Sequence, residues 1–241
     1  PNVVHDSGSQ RVTSSRSVRF YAAQDIGADT ELFIDYLGLQ LWGGRVRRER
    51  LAATKFFTCR CRLCSDSNSA QQARSDEERA ITMAENLRSQ LERRAAGRSA
   101  ELAEQASAQR ARIEALVGSE HWAAQQASLC LIRAVAAACC TGEQSSALVK
   151  SLAEDLGREV GSLWHWLEHS RKVTISPVWY IGASTVLAVA HALQQQLSQT
   201  QEAIALLKKA LAAMPRESSQ YKELALALVV VRAAARAKKA P

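Results

Sequence analysis

An α+β fold is predicted for this 241-residue chain from a change of composition near Cys64 and from the different patterns on its two sides. Before Cys64, short runs of β-branched and aromatic residues alternate with Ser, Gly and Asp, which is the pattern of strands and turns. After Ser75, alanine, leucine, glutamine and arginine dominate, and all of them favour helix. The boundary carries a tight cysteine cluster, Cys59-Arg-Cys61-Arg-Leu-Cys64. The organisation read from these patterns is a β-rich unit over 1–64, a polar linker over 65–75 and a helical domain over 76–241.

Val3-Val-His5 reads as a strand, and Asp6 to Gln10 as a turn. Ser17 to Ala23 alternates and reads as a second strand, with Val18 and Phe20 on one face. Asp25 to Asp29 is a turn, and Glu31 to Tyr36 a third strand. A basic helix from about Arg45 to Lys55 then runs into the cysteines. Ser75-Asp-Glu-Glu opens the helical domain, with the serine as N-cap and the acids complementing the dipole of the first turn. Helices are expected near 76–96, 99–117, 120–140, 143–168, 177–197, 200–214 and 217–238. Gly97, Gly118, Gly142 and Pro215 punctuate them, and Pro177 suits a first-turn position. Ala203, Leu207, Ala210 and Pro215 match the spacing of the second helix of a tetratricopeptide repeat. Stacked helix hairpins and an ordinary bundle both fit the pattern.

Three thiolates at C-x-C-x2-C spacing suit tetrahedral zinc, whereas such close partners bridge one another only with strain. Cys59, Cys61 and Cys64 are therefore the candidate metal ligands, with a fourth expected from elsewhere. Six cysteines, half of them clustered, fit a reducing compartment better than a disulfide framework. Cys130, Cys139 and Cys140 lie on an apolar helix and are expected to be buried, inert thiols. The five histidines show no ligand spacing with one another or with the cluster. Phe56 is expected in the core, and Trp164, Trp166, Trp179 and Tyr180 are expected to anchor helix packing.

No signal-peptide pattern opens the chain, and the most apolar stretches are interrupted by Arg133 and Arg232. The start at Pro1 reads as a fragment of an intracellular protein, cytoplasmic or nuclear, with no membrane partner. The net charge of +7 and pI near 9.3 raise the question of nucleic acid. Arg45, Arg47, Arg48 and Arg50 with Lys55, Arg60 and Arg62 form the densest basic group. Glu49 interrupts that run and no aromatic stripe interleaves it, so a solvated helix face is the better reading and nucleic acid is not expected as a partner.

Taken in order, Pro1-Asn-Val-Val, Ser17-Val-Arg-Phe-Tyr-Ala-Ala-Gln-Asp-Ile26, Thr30-Glu-Leu-Phe-Ile-Asp-Tyr36, Arg47-Arg-Glu-Arg-Leu51 and Thr54-Lys-Phe-Phe-Thr-Cys-Arg-Cys-Arg-Leu-Cys64 resemble the end of a SET domain and its post-SET zinc cluster. The resemblance is to the SMYD type, the SET-and-MYND-domain protein-lysine methyltransferases, in which a tetratricopeptide-like helical domain comes last. Leu37 to Gly43 is similar to the arthropod branch, and Glu202 to Leu224 to the family's C-terminal helices.

This resemblance implies S-adenosylmethionine as cofactor, a structural zinc, and a protein lysine side chain as substrate. It implies that Tyr36 lies where the methyl group is transferred and touches the cofactor, and that Phe57 packs on the cofactor. It implies Cys59, Cys61 and Cys64 as three zinc ligands, the fourth being the cysteine of an Asn-His-Ser-Cys motif ahead of Pro1. Without that upstream part the chain is not expected to bind the cofactor well. Asp29 stands where the family has glycine, and aspartate tolerates the same left-handed backbone. Lys55 stands where active members carry a second tyrosine, and a cation there opposes a substrate ammonium unless it points to solvent. An alternative function is therefore a catalytically weakened relative that docks proteins on its helices.

Overall fold

The computed structural model describes residues 3–6, 19–22, 26–30, 44–60, 73–93, 98–142, 147–169, 176–195 and 199–237. Ten helices are found among them: α1 (Gly44–Lys55), α2 (Ala73–Arg93), α3 (Ser99–Val117), α4 (Trp122–Thr141), α5 (Ala147–Glu154), α6 (Leu156–His169), α7 (Pro177–Ile181), α8 (Ala183–Gln195), α9 (Thr200–Ala212) and α10 (Ser219–Ala237). Strand structure among the described residues is one antiparallel pair of four-residue strands, β1 (Val3–Asp6) and β2 (Arg19–Ala22), in register Val3 with Ala22 through Asp6 with Arg19.

The α+β expectation is thereby corrected, and with it the β-rich unit over 1–64: the described architecture is helical. Two strands this short form no independent sheet core, whereas the alanine- and leucine-rich remainder supplies one continuous core running from α1 to α10. The expected third strand over 31–36 and most of the expected linker lie outside the described residues. Helix α2 begins at Ala73, inside the expected linker.

The helices pack as successive hairpins. α2 pairs with α3, α4 with α6, and α8 with α9. Between hairpins, α2 also touches α4 and α4 touches α8, while α8 touches α10. α4 lies at the centre because nearly its whole circumference is apolar or small, from Trp122 to Cys139. It is long and apolar enough to cross a membrane, but 78% of that window is buried against the other helices, as in a core helix.

Local chemistry sets the ends. The His121 ring caps α4, its Nδ1 accepting from the Ala123 amide at 3.2 Å. Gly142 closes the helix in the left-handed region at φ 75°. The Ser218 hydroxyl accepts from the Tyr221 amide at 3.0 Å and caps α10. The single helix expected over 177–197 is broken at Gly182, where φ is 87°, and the one expected over 143–168 is broken at Asp155. Arg133 of α4 reaches the first break, its Nη2 donating to the Ile181 carbonyl at 3.2 Å and its Nε to Thr185 Oγ1 at 3.0 Å. Burial lowers the pKa of that guanidinium. Trp164, Trp179 and Tyr180 are buried and Trp166 packs on the core, so these aromatics do anchor the helices.

Candidate functional site

Helix α1 leads from the sequence's basic run to its cysteines. Val46 and Leu51 bury one side of it, while Arg50 donates to Glu85 of α2 across 2.6 Å and fastens it to the helical stack. Lys55 in the last turn complements the helix dipole and is exposed. Phe56 then takes the left-handed conformation at φ 60°, which ends the helix without a glycine. An L side chain there costs about 1–2 kcal/mol.

Phe56 is 89% exposed, which corrects its expected place in the core. The left-handed turn at the helix end leaves its ring uncovered by any described element. Phe57 is 39% exposed. Cys59 follows in non-helical backbone as a half-buried free thiol. Ahead of α1, Asp29 occupies the left-handed region at φ 60°, in a turn closed by the Thr30 amide on the Gly27 carbonyl at 3.3 Å. The aspartate thus adopts the backbone that the resemblance assigns to a glycine.

Of the expected site residues, Phe57 and Cys59 are described, two positions apart on the stretch leaving α1. Tyr36, Cys61 and Cys64 lie outside the described residues. The donor set fits zinc by its chemistry, since three thiolates are soft ligands on a short segment. Among the described residues alone no group of three His, Cys, Asp or Glu side chains could hold a metal ion.

The other thiols divide. Cys130 and Cys139 are buried, as expected, and burial pushes the Cys130 thiol up to about 11. Cys140 departs from expectation: it is exposed, and its Sγ lies 3.4 Å from His191 Nδ1 of α8. Fifty-one residues separate the two, so no local spacing could have announced the pair. His165 and His169, four residues apart on α6, bring their rings to 3.9 Å between centroids, a helical spacing that the expectation for the histidines passed over. The thiolate is the reactive form of cysteine; burial raises both thiols, Cys130 up to about 11, and Cys140 is also the exposed one of the two. Iodoacetamide at pH 8 is therefore expected to modify Cys140 at least tenfold faster than Cys130 by peptide mass mapping. Equal rates would show that the core around α4 opens freely.

No family model matches this sequence, and neither does any curated protein.

Proposed function

We propose that this chain belongs to a SMYD-type protein-lysine methyltransferase that uses S-adenosylmethionine and a structural zinc, with the helical stack as the part that meets protein partners. The observation that carries the reading is the order of motifs: Asp35-Tyr36, then a basic helix, then Phe57 and Cys-x-Cys-x2-Cys directly after the helix stops. The end of α1 at Lys55 supports it, because it leaves Cys59 in non-helical backbone, from which a thiolate can turn toward a shared metal.

Cys59, Cys61 and Cys64 would hold the zinc. S-adenosylmethionine, when bound, supplies an electrophilic methyl group. The Tyr36 phenol oxygen would accept weak C–H hydrogen bonds at the transfer position and orient the lysine amine for in-line attack. Phe57 offers a flat apolar face for a purine. The amine must arrive neutral, so a desolvated channel that lowers its pKa assists. Lys55 is exposed, which supports a direction toward solvent rather than into such a channel.

The test is methyl transfer from radiolabelled S-adenosylmethionine to mixed protein substrates, using the polypeptide as its natural host makes it. Transfer is expected to fall about a hundredfold or more in Tyr36→Phe, since one positioned group at the reacting centre is worth that much. Metal analysis is expected to find about one zinc per chain, lost on Cys61→Ser. Absence of transfer with zinc present would leave the docking reading, which the departure at Lys55 favours. Absence of both would remove the family.

A further inference from the structure

Helices α2 and α3 enclose an open groove of about 600 Å³ along one flank of their hairpin. Met83, Asn86, Gln90 and Arg93 line it from α2, at spacings of three, four and three that make one stripe. Gln109 and Arg112 face them from α3. Acids outnumber bases on α2 and α3 taken together, eight to six, so the cationic character is local to the groove. Arg79 pairs with Asp76, Arg88 with Glu92, and Arg110 with both Glu114 and Glu159. The two arginines that border the groove have no acidic partner among the described residues, Arg93 spending only its Nε on the Ser89 carbonyl at 3.1 Å. Among the described residues no acid lines the groove.

Two more groups there are uncommitted. The Gln90 and Gln109 amide oxygens are buried and accept no hydrogen bond. The groove thus has two cations at its border that call for acceptors, and in its walls two enclosed oxygens without a donor, which a ligand reaches only where those side chains turn outward. A free phosphate at neutral pH offers acceptors almost alone, and a nucleic-acid backbone would also lack an aromatic side chain to stack on. A peptide offers both, since its backbone N–H groups donate while Asp or Glu side chains accept. The stripe from Met83 to Arg93 rises about 15 Å at helical pitch. That is the length of about four or five extended residues. Met83 gives the floor an adaptable apolar spot for an uncharged side chain.

We infer that the α2–α3 groove is a docking site for a short, extended, acidic segment of a partner protein. The inference stands whether or not the chain transfers methyl groups, because it uses no residue of the proposed transfer site.

The experiment is fluorescence polarisation of the full chain with a fluorescein-labelled heptapeptide, acetyl-Ala-Glu-Ala-Leu-Ala-Glu-Ala-amide. Binding is expected to weaken at least about tenfold when both probe glutamates become glutamine, and equally in Arg93→Ala/Arg112→Ala. Gln109→Met is expected to weaken it about threefold. Arg232→Ala/Arg236→Ala removes the same charge from α10, outside the groove, and is expected to leave binding unchanged, with circular dichroism confirming the fold of each variant. Three results would overturn the inference. These are unaltered binding in the Arg93/Arg112 variant, an equal loss in the Arg232/Arg236 variant as general attraction to a basic protein would give, and displacement by inorganic phosphate as effective as by unlabelled peptide.

Discussion

Trp164→Ala is expected to cost about 3–5 kcal/mol, the range for emptying a large aromatic site in a packed interior. The indole is 2% exposed and sits with Val160, Leu163 and Leu167 on the buried face of α6. It also organises a polar rim. Its Nε1 donates to Glu168 Oε1 at 2.7 Å, and Lys209 of α9 lies 4.8 Å above the ring and 3.2 Å from the same carboxylate. Burial would raise the Glu168 carboxyl, but these hydrogen bonds together hold it below its ordinary value. Trp164→Phe keeps most of the volume but loses the rim bond and leaves a small cavity, so about 1–2 kcal/mol is expected. Urea denaturation should show the midpoint falling with the slope unchanged. A loss under about 1 kcal/mol for the alanine variant would mean that α6 is held by other contacts.

The second large effect is at Ile113. Among the buried residues of α3, Leu102, Ala103, Ala106 and Ile113, it is a fully enclosed large side chain. The helix it faces, α4, buries Ala123, Ala124 and Ala127 along its first half. Alanines have no rotamers with which to reach into a gap, so a cavity left by Ile113→Ala closes poorly on that side. About 2–5 kcal/mol is expected, against about 0.5–1.5 kcal/mol for Ile113→Val. Leu226→Ala is the control: that leucine is 67% exposed, and its loss should stay within about 0.5 kcal/mol. Comparable losses at Ile113 and Leu226 would refute the assignment of α3 to the core.

The helices were legible because small and apolar residues recur at helical period and glycines stand at the boundaries. The expected helix over 99–117 is α3 residue for residue, and Gly118 and Gly142 follow the ends of α3 and α4. The breaks were less so. The apolar series Val149, Ala153, Leu156, Val160 and Leu163 keeps helical phase straight through Asp155, so nothing on the buried face announces that interruption. At Gly182 the glycine's positive φ is joined by a contact from outside, a guanidinium whose residue stands forty-eight positions before Ile181. Phe56 misled because apolarity signals burial only where some element arrives to cover the side chain.

The site divides in the same way. Cys59 was singled out by local spacing and Phe57 by the resemblance alone, whereas the Cys140–His191 encounter exists only through the packing of α4 on α8. The groove lies between these cases. Arg88–Glu92 and Arg110–Glu114 are visible as pairs four residues apart, whereas Arg93 and Arg112 have no acid four residues away on their own helices. That these two border one depression required the hairpin. The α+β expectation failed because two four-residue strands do not make a layer, however clearly the sequence alternates there.

The central position of α4 bears on how the chain comes apart. This one helix contacts α2, α3, α5, α6 and α8. In a linear array each unit could melt on its own and leave the rest standing. Here, losing either flanking hairpin would strip water-excluding cover from the same twenty-residue rod. Partial denaturation is thereby penalised from both directions, and the stack should behave as one cooperative foldon.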